Sequence, residues 1–204
     1  LGAGTGNNTA AFAKQHSSSI IALERSLGML AKGVEKDIPA RWLQGCATAI
    51  PLADASVDFV FGCYVLHYIE PLAVSFAECA RVLRGGTAAF VTAPIDFIER
   101  HPMNDYFPSF AAIDKARFQS FEAIREAFEA AGFRNVASKR FKAESRPIDG
   151  AFVERIANRF ISTYVLLPED EFDSGLARLR ADVQAKGQLD KPLVWESLVV
   201  WAYV

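Results

Sequence analysis

The sequence predicts an α/β fold built on a largely parallel sheet, and three observations carry that expectation. Strand-like and helix-like segments alternate through the first part of the chain, glycines cluster at the opening strand-to-helix turn, and a run of strand formers closes the chain. The alternation reads as a helix near Asn8 to Gln15, a strand near Ser19 to Glu24, a helix near Leu27 to Lys36 and a strand near Ala40 to Gln44. It continues with a strand near Val57 to Gly62, a helix near Leu72 to Leu83 and a strand near Thr87 to Ala93. Arg117 to Ala131 has helical periodicity and stops at Gly132, a good C′ residue, ahead of a strand near Val136 to Phe141. The closing run, Leu198 to Val204, is rich in β-branched and aromatic residues. Such alternation implies helices on both faces of the sheet and a ligand at the carboxyl ends of the strands.

The opening residues, Leu1 to Gly6, read LGAGTG. A Gly2-x-Gly4-x-Gly6 spacing lets the backbone turn sharply and approach a ligand, and the helix that follows points its free N–H groups at the turn. Almost no strand precedes it, so the chain reads as cut at its N-terminus, with the central strand largely missing. The run SIIALE ends in an acid, Glu24, about twenty residues after the turn, where a carboxylate receives the hydroxyls of a ribose-bearing cofactor. A solvated strand end is the plainer reading of the same residue. The dinucleotide pattern G-x-G-x-x-G asks for a glycine where Asn7 stands and fits in no register, which disfavours a nicotinamide-dependent reductase.

The G-x-G-x-G form resembles motif I of the class I S-adenosylmethionine-dependent methyltransferases, and the resemblance continues in order. Glu24-Arg25-Ser26-Leu27-Gly28-Met29-Leu30 is similar to the family's second-strand acid and the helix start after it. Gly45-Cys46-Ala47-Thr48-Ala49-Ile50-Pro51-Leu52 resembles the segment after the third strand that borders the adenine, and Cys63-Tyr64-Val65-Leu66-His67-Tyr68 the stretch beside the sulfonium end. Val82-Leu83-Arg84-Gly85-Gly86-Thr87 resembles the turn before strand five. About the first half of the chain is covered. The resemblance implies a Rossmann-like three-layer α/β/α sandwich with a mostly parallel seven-stranded sheet, the last strand antiparallel. It implies S-adenosyl-L-methionine as cofactor, with Gly2, Ala3, Gly4 and Gly6 around the methionine part, Glu24 and Arg25 at the ribose, Cys46 and Ala47 at the adenine edge, and Cys63 near the sulfonium. Cys46 departs from the acid many relatives carry there; a thiol is a weak acceptor.

Composition fits one domain spanning residues 1–204, since 51% of the chain is hydrophobic and a large core can form. The net charge of −2 and the lack of a Lys/Arg run argue against nucleic acid and leave a small-molecule substrate favoured. Three cysteines without metal spacing point to a reducing cytoplasm, and no stretch approaches a membrane span. Two segments break the repeat. Residues 95–118 read as an irregular, aromatic, proline-rich loop, and residues 146–188 contain two helical patterns, Phe152 to Tyr164 and Glu169 to Lys186. Long connections usually carry function, so both are expected to cover the substrate, with Tyr106, Phe107 and Tyr164 contacting it. A core-facing stripe of Phe152, Ile156, Phe160 and Tyr164 is the alternative.

Transfer from a sulfonium asks little of side chains beyond alignment and exclusion of water. His67 is the best-placed candidate base. The expected function is methyl transfer to a small molecule by in-line displacement; a methyltransferase-like protein that binds S-adenosylmethionine without turnover, or serves as an accessory, is the alternative.

Overall fold

A computed structural model describes residues 1–204, which form six strands and nine α-helices. The expected alternation appears as α1 (Asn7–Gln15), β1 (Ile21–Glu24), α2 (Leu27–Val34), β2 (Arg41–Gln44), β3 (Val57–Cys63), α3 (Leu72–Val82) and β4 (Leu83–Thr92). Then follow α4 (Ile95–Glu99), α5 (Phe110–Lys115), α6 (Phe121–Ala130), β5 (Arg134–Lys142), α7 (Gly150–Ala157), α8 (Ser162–Leu166), α9 (Glu169–Lys186) and β6 (Glu196–Tyr203).

The strands form a parallel pair, β1-β2, and a four-stranded sheet in the order β3-β4-β6-β5. β3 and β4 are parallel and β6 runs antiparallel to β4, so the closing strand has the expected direction. A continuous seven-stranded sheet is not what forms. Residues 1–3 are too few to make a ladder, yet they bond to both sheets. The Leu1 nitrogen donates to Phe61 O of β3 at 2.6 Å, and Ala3 N–H donates to Leu23 O of β1 at 3.0 Å.

The chain divides into two compact units. The first comprises residues 1–92, 120–139 and 198–204, and the second residues 93–119 and 140–197. In the first, α3 and α6 pack through Phe76 and Phe128, whose rings stack 3.9 Å apart, with Phe90 of β4 5.3 Å from Phe76. All three are fully buried, each contributing about 1.5–3 kcal/mol of apolar burial. A second aromatic group, Phe12 of α1 with Phe59 and Phe61 of β3, has ring centroids 6.4 Å apart.

Both sequence segments read as insertions fall in the second unit. Residues 95–118 are not an irregular loop: they form α4, a 3-10 turn over Pro102–Asp105, and α5. Proline here starts the turn instead of breaking one, because the first turn of a helix needs no N–H from it. The pattern Phe152 to Tyr164 is two helices, interrupted where Arg159 takes φ 48° and Asn158 Nδ2 caps Glu154 O at 2.8 Å. The helix expected from Arg117 begins at Phe121, because Ser120 Oγ accepts Ala123 N–H and sets the N-cap there.

Candidate functional site

The site is built from one turn and three strand ends of the first unit. Gly2, Gly4 and Gly6 all adopt positive φ, 61°, 55° and 84°. At Gly2 a Cβ would overlap the Val65 side chain, whereas at Gly4 it would meet nothing within 4 Å. Gly2 is therefore required by packing and Gly4 by backbone conformation, the latter leaving open space over the turn. Gly6 serves as N-cap of α1, bonds to Ala3 O at 2.9 Å, and lies against Ile38 and Trp42.

Glu24, at the end of β1, is only 8% exposed. Its Oε2 accepts Gly4 N–H at 2.8 Å and its Oε1 accepts Ser26 N–H at 2.8 Å. One carboxylate thus ties the glycine turn to the start of α2, whose N-cap is Ser26, with Oγ accepting Met29 N–H at 3.4 Å. Both oxygens keep further lone pairs for a ligand. Lys36 Nζ fixes the turn from its other side, donating to Asn7 Oδ1 at 2.6 Å and Thr5 Oγ1 at 3.3 Å.

Beyond β2, Cys46 Sγ lies 3.1 Å from Thr48 Oγ1, and this hydrogen bond, followed by Thr48's backbone, holds the thiol below its ordinary pKa. Cys63, at the end of β3, is shifted the other way, raised by burial against a smaller opposing hydrogen bond from Asn8. After β3 the chain passes through Tyr64, a non-glycine residue at φ 51°, whose N–H donates to Val91 O at 2.8 Å. Strained residues of this kind gather where the surrounding structure needs a side chain in one direction.

These elements enclose a cavity of about 510 Å³, within the range of small-molecule sites. Among the residues singled out in sequence, Gly2, Ala3, Gly4, Glu24, Arg25, Cys46, Ala47 and Cys63 line it. Gly6 and His67 do not. Gly6 is turned under the loop, and His67 sits in the 3-10 turn Leu66–Tyr68 with its ring 4.1 Å from the Tyr68 ring. The residues missed in sequence include Thr48, Tyr64, Tyr68 and Glu70. Thr48, Tyr64 and Tyr68 lie inside segments already singled out without being chosen as contacts, and Glu70 lies two residues past the end of one of them.

The three residues expected to touch substrate belong to the second unit, and its packing corrects two of them. Phe107 and Tyr164 are fully buried and meet edge-on at 5.5 Å, with Phe172 stacked on Phe107 at 6.0 Å. They are core, and the stripe reading of Tyr164 is the better one. Tyr106 is half-buried and donates its hydroxyl to Asp182 at 2.7 Å; burial, then Asp182, pushes its pKa up to about 12. A phenol so engaged holds α9 to the segment before α5. No group of three potential metal ligands occurs, and no helix is long and apolar enough to cross a membrane.

Comparison with known proteins bears on this geometry. A family model described as a methyltransferase domain matches residues 1–91, which include every residue lining the cavity. The chain is 36% identical over 90 residues to malonyl-acyl-carrier-protein O-methyltransferase of Xylella fastidiosa (42% of this chain, 30% of the relative). It is 33% identical over 98 residues to demethylmenaquinone methyltransferase of Beutenbergia cavernae (46% of this chain, 40% of the relative). The chain therefore spans well under half the length of these curated relatives. Among solved structures, one described as a methyltransferase from an antibiotic biosynthesis pathway of Anabaena variabilis superposes with TM-score 0.76 at 25% identity, covering 100% of this chain and 89% of that one. Phosphoethanolamine N-methyltransferase 2 of Haemonchus contortus, solved with S-adenosyl-L-methionine, shares the fold at TM-score 0.61 and 17% identity (100% of this chain, 47% of that one).

Proposed function

We propose that this chain is a class I S-adenosylmethionine-dependent methyltransferase domain that binds S-adenosyl-L-methionine in the cavity between Gly2 and Glu70 and promotes methyl transfer to a small-molecule acceptor. The observation that carries the reading is Glu24: a nearly buried carboxylate, pinned by Gly4 and Ser26 N–H, opening on a cavity over a glycine turn. The residues present fit such a cofactor. Glu24 retains lone pairs for two ribose hydroxyls, Ala47 and Thr48 border the edge where an adenine would lie, and the space over Gly4 admits a chain close to the backbone. The cofactor supplies an activated methyl group. The protein's part is to fix both partners and exclude water, which is where catalysis of this displacement chiefly arises. With His67 outside the cavity lining, no imidazole is assigned as base.

In the same reading Leu1 to Ala3 hold the place of a central strand, giving the order β2-β1-(1–3)-β3-β4-β6-β5, a seven-stranded arrangement with the last strand antiparallel. The second unit, made of both inserted segments, is assigned to acceptor selection. The named relatives act on a carrier-bound malonyl group and on demethylmenaquinone, so acceptors carrying an oxygen or carbon nucleophile are the first to try. Three free cysteines suit a reducing cytoplasm.

The test is methyl transfer from labelled S-adenosylmethionine to a malonyl thioester and to a demethylnaphthoquinol. Turnover on either supports the enzyme. Tight cofactor binding with no turnover on a wide acceptor panel favours the accessory alternative, and stabilisation by NAD or NADP in place of S-adenosylmethionine contradicts the reading.

A further inference from the structure

The cavity is electrostatically lopsided. Its lining crosses the strand ends in spatial order: Cys46 to Thr48 after β2, Glu24 after β1, the glycine turn, then Tyr64 to Glu70 after β3. Neighbouring strands lie ~4.8 Å apart, so the β2 and β3 ends are separated by roughly 14 Å. With a ribose at Glu24, the adenine takes the β2 side and the methionine part extends over the glycine turn to the β3 side. Arg25, the one cationic side chain of the lining, belongs to the β1 side. The β3 side presents two phenol rings, Tyr64 and Tyr68, and the carboxylate of Glu70.

Glu70 differs from Glu24 in what holds it. The Glu24 oxygens are each bonded to a backbone N–H, whereas Glu70 is exposed and engages no hydrogen bond or ion pair. Aromatic faces and an uncommitted carboxylate together attract a cation more strongly than a neutral thioether, which gains only a weak sulfur–aromatic contact and nothing from the carboxylate's charge.

We propose that Glu70, with Tyr68, is a recognition site for the positive sulfonium, so that this end of the cavity favours S-adenosylmethionine over S-adenosylhomocysteine. This rests on the cofactor reading above. Methyl transfer removes the sulfonium charge, so the site loosens its hold once the methyl has gone, and product leaves more readily than substrate. Neither the ribose contact nor the adenine contact distinguishes the two molecules, which differ at the sulfur alone.

Calorimetric titration of both molecules into wild type, Glu70→Gln, Glu70→Asp and Tyr68→Leu tests it. Expected is a dissociation constant for S-adenosylmethionine raised about fivefold by Glu70→Gln and less by Glu70→Asp, with that for S-adenosylhomocysteine within twofold of wild type. Tyr68→Leu gives the same one-sided loss, and 0.5 M salt shrinks the difference between wild type and Glu70→Gln, since an exposed charge is screened. An equal loss for both molecules places Glu70 at the amino group they share and overturns the sulfonium assignment, as does no change in either. If wild type binds neither molecule, the cofactor reading itself falls, and this proposal with it.

Discussion

The two units of the chain answer differently to the same kind of reading. In the first, the residues named for a ligand, Gly6 and His67 apart, lie around one cavity; in the second, Phe107 and Tyr164, also named for a ligand, lie in a core. The difference is physical. A glycine turn and an acid at a strand end are defined by local backbone geometry, so spacing alone places them near each other. An aromatic side chain in an inserted segment has no such local constraint, and its default destination is the interior.

The contrast is sharpest in the second unit's core, where the largest effect is expected. Phe107→Ala should cost about 3–5 kcal/mol in unfolding free energy, as truncating a buried aromatic does. Tyr106→Phe, losing one hydrogen bond to Asp182, should cost only about 0.5–1.5 kcal/mol. Denaturant titration of both variants checks the pair; near-equal small losses would return Phe107 to the candidates for acceptor contact.

A somewhat smaller effect is expected from His101, also in the second unit and ringed by Phe97, Phe110 and Trp195. Its Nδ1 accepts Met103 N–H at 3.2 Å, and burial lowers its pKa to about 4 from 6.5. The unfolded chain therefore takes up this proton first as pH falls. Stability contributed by the neutral ring is complete above pH 6.5 and is lost down to about pH 4, a change of about 3 kcal/mol. Chemical denaturation between pH 4.5 and 7 should show that slope, and His101→Phe should flatten it.

In the first unit, Glu24→Gln is the counterpart. Because both oxygens accept a backbone N–H, the amide must turn its NH2 toward one donor, so the glycine turn loosens as well as the ligand contact. Affinity for S-adenosylhomocysteine should fall by about 1.5–3 kcal/mol, more than tenfold, with a loss of about 1–3 kcal/mol in stability. An unchanged affinity with reduced stability would make Glu24 purely structural and erase the contrast between the units.

How much was legible follows the same division. The alternation of strands and helices, the turn and Glu24 could be read from spacing and residue type, and the direction of β6 from the resemblance alone. Tyr64 at φ 51° could not, because nothing in a tyrosine announces a conformation its side chain disfavours. Nor could the break at Arg159, where an apolar stripe continues in sequence while the helix stops. Pro102 was misread because a proline that begins a turn and one that ends a helix look alike without their neighbours in space. The even spacing of the three glycines likewise concealed that two of them line the cavity and Gly6 supports it from behind.

The central claim is that the cavity over the Gly2–Gly6 turn is a nucleoside cofactor site. Thermal unfolding of the chain with S-adenosylhomocysteine at a hundredfold excess over its dissociation constant, for wild type and Gly4→Ala, addresses it most directly. At Gly4 an added Cβ meets no protein atom and projects where the ligand would lie. Wild type should gain about 2.7 kcal/mol from the ligand, and Gly4→Ala should lose most of that gain at the same ligand concentration while losing only about 1–2 kcal/mol without it. Equal stabilisation of both proteins, or none of wild type, would contradict the claim.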